Sequence, residues 1–103
     1  MIDSTQAKAV FNVIDAYDHP HGGRILRLRL RRGEAPAMKE LKGGAIVASA
    51  QDGVEARIRV DGFALFGGRM SDARLARTGR VDVHVRDEAA RAVAAGWSVK
   101  VPA

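Results

Sequence analysis

The stretch Arg24-Ile25-Leu26-Arg27-Leu28-Arg29-Leu30-Arg31-Arg32 constrains this chain more than any other. Leu26, Leu28 and Leu30 alternate with Arg27, Arg29 and Arg31. A period of two puts the leucines on one face of a β-strand and the arginines on the other. A helix would spread both sets around its circumference. One apolar and one wet face is the signature of an antiparallel sheet with a single covered side. Gly22-Gly23 before the run and Gly33 after it supply turn residues at both ends.

The same alternation recurs. Val54, Ala56, Ile58 and Val60 are expected inward, with Glu55, Arg57 and Arg59 outward. Asp52-Gly53 is a tight-turn signal, so residues 45–60 read as a hairpin beginning with Ala45-Ile46-Val47. Val81, Val83 and Val85 form a third inward set, and Val99 lies in a fourth short run that ends near Pro102. Phe63-Ala64-Leu65-Phe66 either continues the preceding strand past a bulge or forms a short strand of its own. Residues 9–17 fit a helix or a strand, and Val10, Val13 and Ile14 lean them towards strand. Residues 87–95 suggest a helix capped by Asp87 and ended by Gly96, and residues 71–76 a further short turn of helix. The expected fold is all-β and mainly antiparallel: a six- or seven-stranded barrel or sandwich with one short helix near 87–95.

A chain of 103 residues fits one domain, with residues 1–8 expected as a loose terminal segment. It has no cysteine, so no disulfide supports it. The longest apolar runs fall far short of the ~20 residues of a membrane span. Met1-Ile2-Asp3-Ser4 does not open an export signal, which makes a cytoplasmic location the expectation.

The net charge is +5, unevenly placed. Residues 24–86 hold 14 Arg and Lys against 7 Asp and Glu. A genome rich in G and C accounts for arginine over lysine, but less well for where the arginines fall.

The order of these pieces resembles the β-barrel domain that follows the GTPase domain in translation elongation and initiation factors. The resemblance rests on residues 11–17, on Gly23–Leu30 followed by Gly33, and on Met38–Gly44 leading into Ala45-Ile46-Val47. It also rests on Ile58–Phe63, where the family's barrel turns a corner, and on the glycine-led strand in Arg77–Val83. It spans roughly residues 9–101 and implies a barrel standing alone. No Gly-x-x-x-x-Gly-Lys-Ser/Thr phosphate loop occurs, so it carries no GTPase activity.

Catalytic signals are sparse. Ser4, Ser49, Ser71 and Ser98 lie in no nucleophile-elbow context. No carboxylates are spaced as an acid–base pair, and no cofactor is indicated. Asp18-His19-Pro20-His21 offers two imidazoles and a carboxylate to a metal. A third ligand is missing, since nothing in the sequence brings His84 or Asp82 near, so no metal site is expected. Gly67-Gly68-Arg69 reads as a turn before it reads as a phosphate cradle.

The strongest signal is the arginine face. Arg27, Arg29 and Arg31 project at about 6.6–6.8 Å intervals, twice the strand rise. Arg57 and Arg59 share that face if their strand packs nearby. Glu55, Asp82 and Asp15 are candidate neutralising acids. No aromatic interleaves the stripe, as base stacking would need. The expectation is a non-enzymatic binding module for RNA, a ribonucleoprotein or an acidic protein surface, with no membrane partner. The alternatives are a structural or oligomer-forming protein and, remotely, a metal carrier using His19 and His21.

Overall fold

A computed structural model of the chain describes residues 7–64 and 71–102. It contains seven strands: β1 (Ala7–Asp18), β2 (Arg24–Gly33), β3 (Ala45–Ser49), β4 (Glu55–Arg59), β5 (Gly62–Phe63), β6 (Arg80–Val85) and β7 (Ser98–Pro102). Two short helices, α1 (Met38–Leu41) and α2 (Asp72–Thr78), and a 3₁₀ helix (Glu88–Ala92) complete it. All strands belong to one antiparallel sheet in the order β4-β3-β7-β1-β2-β6-β5.

The sheet is curled into a half-barrel, and its two edge strands are neighbours along the chain. β4 ends at Arg59 and β5 begins at Gly62. Between them Val60 donates to the Gly44 carbonyl on the β3 side, and Asp61 donates to the His84 carbonyl of β6. The chain therefore turns a corner at Val60–Asp61. Gly62–Phe63 forms a short strand of its own, paired with β6, one of the two arrangements expected for this run; Leu65 and Phe66 lie outside the described residues.

Alternation fills the inside of the curl. Phe11, Val13, Leu26, Leu28, Ile46, Ala48, Ile58, Val60, Val81, Val83, Val85 and Val99 form one buried cluster. Burial falls short at three positions expected in the core: Leu30 packs against the cluster from the inner face but is only half-buried, Val47 is half-buried and Val54 is 52% exposed. Val47 stands on the outer face because Ile46 and Ala48 take the inner positions. Val54 belongs to the hairpin turn, where its N–H donates to Asp52 Oδ1. Phe11 is core, whereas Phe63 and Trp97 pack against the core while staying partly exposed.

Residues 7–18 form a strand, so β1 includes Ala7 and Lys8 of the segment expected to be loose. Two bulges interrupt its pairing with β2. Val10 pairs with Arg32 but Phe11 pairs with Leu30, which leaves Arg31 unpaired. Val13 pairs with Leu28 but Asp15 with Arg27, which leaves Ile14 as the extra residue, 42% exposed. An inserted residue bends the strand and tightens its twist, which suits a sheet that must curl. Gly33 closes β2 at φ 89°, where an added Cβ would collide with the Lys8 carbonyl oxygen.

The expected helix at 87–95 is a shorter 3₁₀ turn. Asp87 accepts from the Ala89 N–H, as expected of a cap, but the turn ends at Val93 rather than Gly96. Ala90 and Val93 are buried in the core cluster, and the carbonyls of Ala90, Arg91 and Val93 accept from Arg24 Nη1 at 3.0, 3.0 and 2.6 Å. The Ala90 carbonyl also accepts from the Val93 N–H, the last bond of the turn. α2 matches the short helix expected from residue 71 and runs two residues further. Ser71 Oγ accepts from the Arg74 N–H, and Gly79 ends it in the left-handed region at φ 68°. Nothing in the sequence reading anticipated α1, whose first N–H, on Met38, donates to Asp72 Oδ1 of α2.

Candidate functional site

Cross-strand register places the outer-face residues in rows. In one row Asp15 pairs with Arg27, and Arg27 with Asp82. In the next, Asn12 pairs with Arg29, and Arg29 with Arg80. In the row on the other side, Tyr17 pairs with Ile25, and Ile25 with His84. These rows lie on the side opposite Leu26, Leu28, Val81 and Val83, which point into the core; Ile25 is nonetheless buried.

The two central arginines therefore sit in opposite environments. Arg27 lies between two acids, and its Nε is 3.4 Å from Asp82 Oδ1. Of the three acids expected to neutralise the stripe, Asp82 pairs with Arg27, whereas Asp15, its cross-strand partner on the other side, lies beyond ion-pair distance and accepts from the Ala16 N–H. Glu55 is on β4 and accepts instead from Ser49 Oγ. Arg29 lies between an asparagine and another arginine. Like charges directly opposite one another on neighbouring strands are unfavourable. Among the described residues no carboxylate lies within ion-pair distance of Arg29 or Arg80.

The remaining sequence candidates disperse. Arg31 is exposed but occupies the bulge, so the regular stripe stops at Arg29 and Arg32 takes the next outer position. Arg57 and Arg59 are on the same convex face, with β3, β7 and β1 between them and β2. At about 4.8 Å per strand this is a path of about 19 Å along the sheet. Gly67-Gly68-Arg69 lies outside the described residues.

A cleft of about 330 Å³ opens beside the Arg29–Arg80 pair. It is lined by Arg27, Ala64, Arg74, Thr78, Arg80, Val81 and Asp82. Arg74 and Thr78, four residues apart on α2, share one side of the helix, and Thr78 Oγ1 donates to the Arg74 carbonyl. Gly79 ties α2 to the sheet: its carbonyl accepts from the Leu30 N–H at 2.6 Å. Sequence reasoning missed Arg74 and Arg80 because neither belongs to an arginine alternation. Only pairing between β2 and β6 shows that Arg80 joins the stripe.

The histidines are closer together than the sequence suggested. His84 stands on β6, and its ring lies 4.7 Å from that of His19, which lies 5.6 Å from that of His21. Their free nitrogens are partly committed. His19 Nδ1 accepts from the His21 N–H, and the Gly22 carbonyl lies 2.9 Å from His84 Nε2. Loss of hydration, then the neighbouring His84, His21 and Arg86, hold the His19 pKa below the ordinary imidazole value. Among the described residues no three His, Cys, Asp or Glu side chains are grouped so as to hold a metal ion. A second cleft of about 370 Å³ runs beside this loop, with Arg24, Arg86 and Arg91 offset by Asp18, Asp87 and Glu88.

Among the described residues no helix is long and apolar enough to cross a membrane. Comparison with known proteins finds no matching family model, no significantly similar curated protein and no significantly similar solved structure.

Proposed function

We propose that this domain is a non-enzymatic binding module that holds single-stranded RNA through phosphate contacts on the outer face of β2 and β6. The observation that carries this reading is the Arg29–Arg80 pair, two exposed guanidiniums set opposite each other with no acid between them. A bound phosphate would offset a repulsion that the fold itself leaves in place. Contacts of this kind position a nucleic acid without reading its bases, so the binding is not sequence-specific.

The resemblance to translation-factor barrels is a second motive for this reading; within the run Ile58–Phe63 that carries it, the chain turns a corner at Val60–Asp61. An acidic protein partner or a self-assembling role is less well supported. Protein interfaces need a desolvated centre, commonly aromatic or apolar. Among the described residues the exposed large hydrophobics are Ile14, at a bulge of β1, and Val54, at the β3–β4 hairpin. These are isolated positions rather than a patch.

Fluorescence anisotropy of a short labelled single-stranded RNA, with labelled polyglutamate beside it, tests the reading. At about 50 mM salt, where phosphate contacts are strong, the RNA binds saturably and polyglutamate does not. Polyglutamate binding with no RNA binding would replace this partner with an acidic protein.

A further inference from the structure

The cleft between α2 and β6 goes further than the open face beside it. Three arginines line it from three separate elements: Arg27 from β2, Arg74 from α2 and Arg80 from β6. Asp82 also lines it and pairs with Arg27. The charged lining among the described residues therefore sums to +2. Among the described residues no other carboxylate lies within ion-pair distance of any of the three arginines.

That balance discriminates between two kinds of phosphate. An internal phosphodiester carries one negative charge and would leave the cleft half compensated. A phosphomonoester carries about −1.5 to −2 at neutral pH, since its second pKa is about 6, and offers three acceptor oxygens. Guanidiniums suit such a group because each presents several N–H donors in a fixed fork. At about 330 Å³ the cleft is at the small end of ligand sites, fit for a phosphate and part of the sugar bearing it. The Arg27–Asp82 pair, 3.4 Å long, holds one guanidinium in place before anything binds.

We infer that this cleft seats a phosphomonoester, and that its source is the terminal phosphate of a bound RNA strand. The internal phosphates of that strand then run over the Arg29 face. The inference rests on the RNA reading for its source, but the cleft and its charge balance do not depend on it.

The experiment compares one RNA with and without a terminal phosphate, and inorganic phosphate alone, on the wild type and on Arg74→Gln. Arg74 is exposed on α2, and thermal melting checks that the variant is folded. The end-phosphorylated RNA should bind about tenfold more tightly, as expected for one added charge-assisted contact set. The ratio should fall towards one in Arg74→Gln, and towards one in the wild type below about pH 6, where the monoester loses its second charge. Inorganic phosphate should compete for the end-dependent part alone. Equal affinity for the two RNAs, with RNA binding intact, overturns the monoester seat and leaves the proposed function standing. Phosphate binding that Arg74→Gln abolishes, without any RNA binding, keeps the seat and removes RNA as its source. Neither RNA nor phosphate binding overturns both.

Discussion

Arg29 and Arg80 are direct partners across the β2–β6 pairing, both exposed, with Asn12 on the far side of Arg29. A sheet selected for stability alone would place an acid at one of these positions, as it does one row away at Asp82. Arg80→Glu should therefore raise stability slightly, by about 0.2–1 kcal/mol, the range for cross-strand and exposed charge pairs. The same change should weaken RNA binding. Chemical denaturation and anisotropy on one preparation measure the two effects, and a variant both less stable and equally able to bind would contradict the assignment.

Leu28 tests the fold. It is 1% exposed and sits between Val13 and Val81 in the centre of the sheet. Leu28→Ala should cost about 2–5 kcal/mol, the range for buried leucines truncated in a packed core. Urea unfolding measures it, and a loss under about 0.5 kcal/mol would mean that this face is not the packed one.

Arg24 tests how the end of the half-barrel is closed. It is an inward position, paired with Asp18 and Val85, and its Nη1 holds the carbonyls of Ala90, Arg91 and Val93. Asp18 Oδ1 lies 3.3 Å from its Nε, within ion-pair range but without hydrogen-bond alignment. Arg24→Ala leaves the partly buried Val93 carbonyl without this donor, at about 1–3 kcal/mol, while the Ala90 carbonyl keeps the Val93 N–H. Hydrogen exchange should show residues 88–93 opening first, while RNA binding at Arg29 and Arg80 persists under folding conditions.

The histidine loop gives the domain a pH dependence of defined sign. Because the folded state holds the His19 pKa below its ordinary value of about 6.5, the unfolded chain takes up the proton more readily. The His19 contribution is complete above that value and is lost as pH falls through the lower, folded one. The Glu40 carboxylate, lowered chiefly by its hydrogen bond from Lys8, adds a loss of the same sign in a more acidic window, below the ordinary glutamate value. Thermal melting from pH 7.5 to pH 3.5 should show a fall above pH 5 that His19→Gln flattens, leaving the Glu40 loss at the acidic end.

The arrangement was legible wherever alternation carried it. Leu26 and Leu28 against Arg27 and Arg29 fixed which face of β2 is wet, and Val81, Val83 and Val85 did the same for β6. Bulges were not legible, since no glycine or proline marks Ile14 or Arg31, and so the regular stripe appeared one arginine longer than it is. Distances between segments were hidden for a related reason. Alternation gives the face of a residue but not the position of its strand in the sheet. Arg57 and Arg59 therefore entered the stripe although three strands separate them from β2, while Arg80, its direct neighbour, was missed. His84 escaped notice as a neighbour of His19 in the same way, because the contact depends on Gly22 and Gly23 folding back against the end of β6.

The central claim is that phosphate contacts at Arg29 and its neighbours hold RNA, and its most direct test is the salt dependence of binding. Anisotropy titrations of single-stranded RNA across a range of salt concentrations give the slope of log affinity against log salt. Neutralising about three phosphates predicts a slope near −2, at ~0.7 per phosphate. The combined Arg27→Gln, Arg29→Gln and Arg80→Gln variant should bring the slope close to zero while the protein remains folded. A slope unchanged in that variant would place the RNA elsewhere, and no binding by the wild type at about 50 mM salt would contradict the account outright.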